Sequence, residues 1–287
     1  MIYTFIARRC SNLPVATCCR VMKVSTSGFS AWRACPVSDR DWDDAVLTKT
    51  IVDIHKMSRR SYGSPRVHAE LRLGLGTFCS RKRVERLMRQ AGVSGISRRR
   101  GHGCTRRDGS EPADDLVGRQ FDPDGPDRLW VMDVTEHPTS EGKVYLAAVL
   151  DAFSRRVVGW SIADHLRSEL VVDALQMAIW RRQPADGQTI AHSDHGAQYT
   201  SWAFGRRLRA AGLLGSMGSI GDCSDNSVAE RFFGSLQLEL LDEHRWDTRD
   251  QLANAIFDWI ECWDNPRRRH SYCRMLGPID YETATAA

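Results

Sequence analysis

Two apolar runs that each stop on an acidic residue constrain this chain more than any other feature. Leu129-Trp130-Val131-Met132 runs into Asp133, and Thr189-Ile190-Ala191-His192-Ser193 runs into Asp194. Runs of this length and composition read as strands. An acid at the end of each sets its carboxylate at the carboxyl edge of a sheet, where open α/β sheets bind their ligands. A third acid, Glu230, opens a helical pattern in which Val228, Phe232, Phe233, Leu236 and Leu240 recur at the spacing of a buried face. The 35 residues between Asp194 and Glu230 leave room for a helix, a strand and a loop before the chain returns to the same place.

Three carboxylates gathered at one point repel one another, and each is pushed toward its protonated form unless a cation sits among them. Mg²⁺ suits such a set, because it takes carboxylate oxygens together with water and substrate phosphate. Mn²⁺ is the natural substitute. Two such ions about 4 Å apart stabilise the attacking and leaving oxygens of an in-line phosphoryl displacement. Positioning and charge neutralisation then replace a covalent nucleophile. The chain holds 36 acidic residues, most of them ordinary surface groups. The flanking patterns, not the count, single out Asp133, Asp194 and Glu230.

The rest of the second half alternates strand and helix signals. Strands are expected over 129–138, 143–151 and 156–163, joined by short turns at Glu141-Gly142 and Arg155-Arg156, which makes an antiparallel meander. A helix over 168–182, a strand over 189–193, a helix over 201–211 and a strand over 213–217 follow. The Glu230 helix and a final helix over 248–263 close the series. Asp151 reads as structural, pairing with Arg155 or Arg156. Asp225 or Asn226 caps the Glu230 helix. The polar loop Gly221-Asp222-Cys223-Ser224 before it is suited to moving when substrate enters.

The first half has a different character. Residues 1–128 hold 24 Lys and Arg against 14 Asp and Glu, whereas residues 129–287 hold 16 against 22. A basic front can bind phosphate backbones through counterion release; the competing reading is a solvated surface. Residues 12–34 read as two short helices, with Pro14 at a first turn and Ser25 as a cap, and 39–44 as an acidic connector. A clearer helix starts at Asp44, with Leu47, Ile51 and Ile54 inward. Ser64 caps and Pro65 starts the next helix. Ser80 caps a third, with Val84, Leu87 and Met88 inward and Arg81, Lys82, Arg83, Arg86 and Arg89 outward; Gly92 ends it. This is a helix-turn-helix plan, whose last helix would enter a major groove. A helical bundle packed on the second half is the alternative. Arg98-Arg99-Arg100 lie in a basic linker. Arg267, Arg268 and Arg269 follow an apolar helix, either to hold DNA or to answer a helix dipole.

The nine cysteines are an odd number without regular spacing, and no CxxC pair occurs, so neither a disulfide framework nor a structural zinc site is expected. No apolar run approaches the roughly 20 residues that span a bilayer, and the amino terminus lacks the order of a secretory signal. A cytoplasmic, nucleoid-associated protein is expected.

Five strings occur in one order: Trp130-Val131-Met132-Asp133-Val134-Thr135; Val149-Leu150-Asp151-Ala152-Phe153-Ser154-Arg155-Arg156-Val157-Val158-Gly159-Trp160; His192-Ser193-Asp194-His195-Gly196-Ala197-Gln198-Tyr199; Asp222-Cys223-Ser224-Asp225-Asn226-Ser227-Val228-Ala229-Glu230-Arg231-Phe232-Phe233; and Asn265-Pro266-Arg267-Arg268-Arg269-His270. With them the chain resembles the second-reading-frame transposases of the IS-three group of insertion sequences, in the retroviral-integrase superfamily. The resemblance implies an α/β ribonuclease-H-like mixed-sheet catalytic domain over 127–287, with a carboxyl-terminal helical extension. The order of strands and helices agrees. It further implies a helix-turn-helix-like region over 44–95, a short helical segment over 1–43 before it, and a basic flexible linker over 96–126. The family's acidic triad falls on Asp133, Asp194 and Glu230. The implied activity is metal-dependent DNA cleavage and strand transfer at element ends. The implied partners are element-end and target DNA, further copies of the chain, and the protein of the upstream frame. The chain departs from the family at His195 (commonly arginine), at Gln237 (commonly a base) and at Asp264 (commonly aromatic).

Overall fold

The computed structural model describes residues 2–10, 12–35, 37–96, 122–194, 196–217 and 227–286. Arg98, Arg99, Arg100, His195, Asp225, Asn226 and the loop at Gly221 lie outside them. Three short helices come first: α1 (Ile2–Arg9), α2 (Val15–Val21) and α3 (Thr26–Ala34). Ser25 caps α3, its hydroxyl accepting from the Gly28 amide at 3.0 Å. Ile6, Cys18, Cys19 and Phe29 bury one another in a small separate core. These two cysteines are thus buried free thiols.

Helix α4 (Asp39–Met57) begins five residues before the expected Asp44. Ser38 accepts from the Asp41 amide at 3.2 Å. Asp39 and Asp41 then stand in the first turn, where the helix dipole favours acids. The acidic stretch expected as a connector is therefore a helix start. Helix α5 (Ser64–Ala69) takes Gly63 as its cap, one residue earlier than expected, and continues as a π-helical turn over Glu70–Gly74. Helix α6 (Arg81–Gln90) is capped by Ser80, which accepts from the Arg83 amide at 3.2 Å. It stops at Gly92, whose φ of +68° suits a residue without a side chain.

The sheet has five strands: β1 (Leu129–Thr139), β2 (Gly142–Asp151), β3 (Val157–Ala163), β4 (Ile190–Ser193) and β5 (Leu214–Met217), in the order β3-β2-β1-β4-β5. β1 to β3 form an antiparallel meander, and β4 and β5 run parallel to β1. Helices α7 (Ser168–Arg182) and α8 (Trp202–Ala210) follow β3 and β4. Helices α9 (Ser227–Glu239), α10 (Arg249–Asp258) and α11 (Pro278–Ala286) complete the chain, with a π-helical turn at Trp259–Asp264 extending α10. This is the ribonuclease-H-like order. Side chains alternate along β1 with the two-residue strand period. Trp130 and Met132 pack with α7 and α8, and Leu129 and Val131 pack with α9 and α10. Helix α7 lies so close on β3 that a Cβ on Gly159 would overlap the Ala174 carbonyl and the Ala178 amide.

The helical bundle α4–α6 is not a separate body. Ile51, Ile54, Tyr62, Val67, Leu71, Val84 and Leu87 belong to one continuous core with Val131, Leu146, Phe232, Trp259 and Trp263. Tyr62 stacks on Trp263 with ring centroids 5.7 Å apart, and its hydroxyl accepts from the Arg269 amide at 2.7 Å. Arg59 pairs with Asp258 at 2.5 Å.

That packing sets two of the expected DNA contacts, Arg268 and Arg269, in buried ion pairs. Arg268 is 4% exposed. Its Nε and Nη2 donate to the Glu239 carboxylate at 2.9–3.0 Å, and Nη2 also reaches Ser235. Arg269 is 8% exposed and pairs with Glu70 at 2.5 Å. Both guanidiniums are buried between the bundle and the sheet domain, each paired with a carboxylate. Arg267 alone of the three is exposed. Asp151 differs from expectation too. It is buried, but its Oδ atoms accept the backbone amides of Asp127, Phe153 and Ser154 rather than an arginine.

Candidate active site

β1 and β4 pair in parallel with Val131 opposite His192. Carried on by two residues, that register sets Asp133 level with Asp194. Asp133 also lies on the face of β1 shared with Leu129 and Val131, the face on which α9 packs, and Glu230 stands in the first turn of α9. Local pattern thus explains all three positions: two strands that end in acids, and one helix that starts near their ends.

Asp133 is half-buried, while Asp194 and Glu230 are exposed. Asp133 Oδ1 accepts the Val134 amide at 2.8 Å, and Asp194 Oδ1 accepts the Gly196 amide at 3.1 Å. Burial pushes the Asp133 carboxyl up to about 6, against the pull of the Val134 amide, and the charges of Asp194 and Glu230 add to the push. The three acids therefore share one electrostatic environment. They do not share one tight cage: among the described residues, no three His, Cys, Asp or Glu side chains converge closely enough to hold a metal ion.

Asp133 and Asp194 face a common cleft whose walls include Thr135, Tyr145, Gln198 and Tyr199. Tyr199 was not singled out from the sequence. It is 3% exposed, and its hydroxyl has no hydrogen-bond partner among the described residues. Burial, then the charges of Asp133 and Asp194, raise its pKa well above the ordinary value. Only its place five residues after Asp194 could have marked it. His192, by contrast, is buried between β4 and β5, with Nδ1 3.1 Å from Ser216 Oγ.

The donor set suits a hard divalent cation. Carboxylate oxygens are its preferred protein ligands, and Mg²⁺ keeps several waters, so a full protein cage is not required. The Asp133 pKa is raised first by burial and then by the charges of Asp194 and Glu230, and a bound cation would favour its charged form.

On the bundle, Arg81 and Lys82 are exposed at the start of α6. Arg83 and Arg86 are half-buried, and each reaches Asp44 on α4 at 2.7 Å. Hydrogen bonds from Arg86 and Arg83 hold the Asp44 carboxyl below its ordinary range. Lys82, Arg83 and Arg86 line an open concavity with Arg40. Gln237, where the resemblance leads one to expect a base, hydrogen-bonds Asp242 on the surface. Asp264 is buried beside Arg268 and His270, at 3.6 and 3.3 Å.

No helix among the described residues is long and apolar enough to cross a membrane. Family models for the integrase core domain match residues 123–223 and 230–285, and the model of an HTH-like domain matches residues 41–101. The chain is 34% identical to transposase InsF for insertion sequence IS3A of Escherichia coli (strain K12), over 100% of both chains. It is 37% identical to a putative transposase for insertion sequence element IS986/IS6110 of Mycobacterium tuberculosis (strain CDC 1551 / Oshkosh), over 86% of this chain and 90% of that one. Among solved structures, the HTLV-2 integrase catalytic core domain in complex with magnesium is similar at 18% identity and a TM-score of 0.42, covering 55% of this chain and 97% of that one. With an acid at the end of each of two adjacent parallel strands, a third on the helix across them and a helix-turn-helix-like region in front, the chain belongs to the IS3 family of insertion-sequence transposases.

Proposed function

We propose that Asp133, Asp194 and Glu230 are the catalytic carboxylates of a DNA transposase that cleaves and joins strands at the ends of its own element. The observation that carries this is the alignment of Asp133 with Asp194 across β1 and β4, with Glu230 close enough to raise the Asp133 pKa. In the first step a water oxygen bonds to the phosphorus at the element end, and the bond from phosphorus to the 3′ oxygen breaks. The product is a free 3′-hydroxyl. In the second step that hydroxyl loses its proton and attacks a target phosphodiester, whose own 3′ oxygen leaves. Asp133, Asp194 and Glu230 would hold two Mg²⁺ or Mn²⁺ ions, which when bound neutralise charge on the phosphate and lower the pKa of the attacking oxygen. The half-buried position of Asp133 keeps bulk water from its inner edge. The Val134 and Gly196 amides orient the two aspartates.

Arg81 and Lys82, with Arg83 and Arg86 beside them, would contact the phosphate backbone of the element end, and exposed Arg267 would contact flanking DNA. The chain would assemble as a homo-oligomer on paired ends, together with the upstream-frame protein. It would act in the cytoplasm, at the nucleoid.

An end-labelled duplex carrying the inverted repeat, incubated with the chain and Mg²⁺ or Mn²⁺, tests the reading. Joined products are expected. Asp194→Asn and Glu230→Gln should each abolish cleavage yet keep DNA binding. Nicks without joining would mark a nuclease, bound but uncut DNA a regulatory relic, and robust cleavage by either variant would refute the carboxylate assignment.

A further inference from the structure

A second concavity, separate from the acidic cleft, is lined in part by α9. It encloses about 230 Å³ and is built from four separated parts of the chain. Arg66 comes from α5, Arg155 from the turn between β2 and β3, Arg231 from α9, and Tyr272 from the segment before α11.

The charges on its walls do not balance. Four guanidiniums face it (Arg66, Arg155, Arg231 and Arg268), against the buried carboxylates of Glu239 and Asp264. Arg268 engages both acids, and Arg66 reaches Glu239 only at 4.0 Å. Arg155 stacks on the Tyr272 ring at 3.7 Å. Among the described residues its Nη1 is buried with no hydrogen-bond partner, and its ion pair there is to the exposed Asp122 at 3.5 Å. Arg231 enters no ion pair among the described residues. Burial lowers the pKa of Arg155, and the nearby charge of Arg231 lowers it further. Arg66 is lowered in the same way by burial and by Arg268.

Planar guanidiniums with unused N–H groups, held together against their mutual repulsion, complement a tetrahedral oxyanion. Leu150, Val228 and Phe232 form an apolar back wall, and low local dielectric strengthens such contacts. We propose that this pocket binds a backbone phosphate of the substrate DNA. The inference rests on the reading above that DNA is the substrate. It adds a positioning role, because Arg231 directly follows Glu230 on α9 and Arg66 belongs to the helical bundle. A phosphate seated here would tie the bundle, the sheet domain and the Glu230 helix to one point on the DNA.

The test is equilibrium binding of the full chain to a labelled element-end duplex in EDTA, with the salt concentration varied. Arg231→Gln, at an exposed helix position where truncation opens no cavity, should reduce the slope of log affinity against log salt by about 0.9, the value for one phosphate contact. The loss should be equal for any duplex sequence, Arg231→Lys should restore most of the slope, and Arg155→Gln should reproduce the loss. An unchanged slope in an Arg231→Gln protein with a wild-type melting curve would overturn the proposal. So would stabilisation of wild type, but not Arg231→Gln, by millimolar inorganic phosphate alongside an unchanged DNA slope, since the pocket would then serve a free anion. Binding in EDTA is blind to cleavage. A chain that binds with the expected slopes but never cuts would therefore sink the transposase reading and leave the pocket standing.

Discussion

The raised pKa of Asp133 has a consequence for stability that can be measured apart from catalysis. The folded-state value of about 6 stands against an ordinary 3.8. Between those pH values the folded chain holds a proton that the unfolded chain has released, so stability falls as pH rises through the interval. Below 3.8 nothing is lost; above 6 the loss is complete. A shift of about two units corresponds to about 3 kcal/mol, and hydration of the open cleft reduces this to about 2 kcal/mol. Asp133→Asn removes the charge while its Oδ1 still accepts the Val134 amide. In EDTA at pH 8 the variant should therefore be more stable than wild type by about 2 kcal/mol, or a melting temperature about 4–8 °C higher for a chain of this size. At pH 5 a little under half of that advantage should vanish, and by pH 4 most of it. Added Mg²⁺ should raise the melting temperature of wild type and leave the variant unmoved, as mass action on a native-state ligand requires. Differential scanning calorimetry of both proteins from pH 5 to 8 decides the matter. A variant that melts below wild type at pH 8, or a difference that does not change with pH, would refute the claim that Asp133 carries uncompensated charge.

Three further outcomes follow from the packing and charges. Arg81→Gln with Lys82→Gln should weaken DNA binding and lower the salt slope by up to about 2, one unit per lost phosphate contact; an unchanged slope would remove α6 from the DNA interface. Arg268→Met should destabilise the chain by about 3–5 kcal/mol in urea, because it strands the buried Glu239 carboxylate, and an ordinary surface-sized loss would contradict the burial. Gly159→Ala should cost at least about 1–3 kcal/mol through overpacking of α7 on β3, read as a lower urea midpoint at unchanged slope.

Much of the architecture was readable because local signals agreed with global demands. Ser80 and Ser25 cap where a Ser before an apolar period should cap, and Gly142 and Arg155 turn the chain at the expected hairpins with positive φ. The 168–182 helix was legible as a run that is apolar around much of its surface. What escaped was set by distant contacts. Arg268 and Arg269 look like a cationic helix end in one dimension, yet Glu239 and Glu70, remote in sequence, draw them inward. Helix α11 carries no strong apolar stripe. It is held by Glu282, which pairs with Arg156 and Arg182 at 2.8 and 2.9 Å, a link invisible along the chain. Of the acidic site, the strand ends at Asp133 and Asp194 were legible. The buried Tyr199 hydroxyl between them was not, since an aromatic in a polar loop gives no sign of which way it faces.

Because Tyr62 and Trp263 interlock and the bundle shares its apolar interior with the sheet, the proposed DNA-contacting helix α6 is held in fixed relation to the proposed catalytic carboxylates. On the proposed function the protein would work as a rigid caliper, with the spacing between α6 on the DNA and the acidic cleft built into the fold. Inserting or deleting a few base pairs between those two points should abolish cutting outright rather than shift it, whereas an enzyme with hinged arms would follow the displaced site.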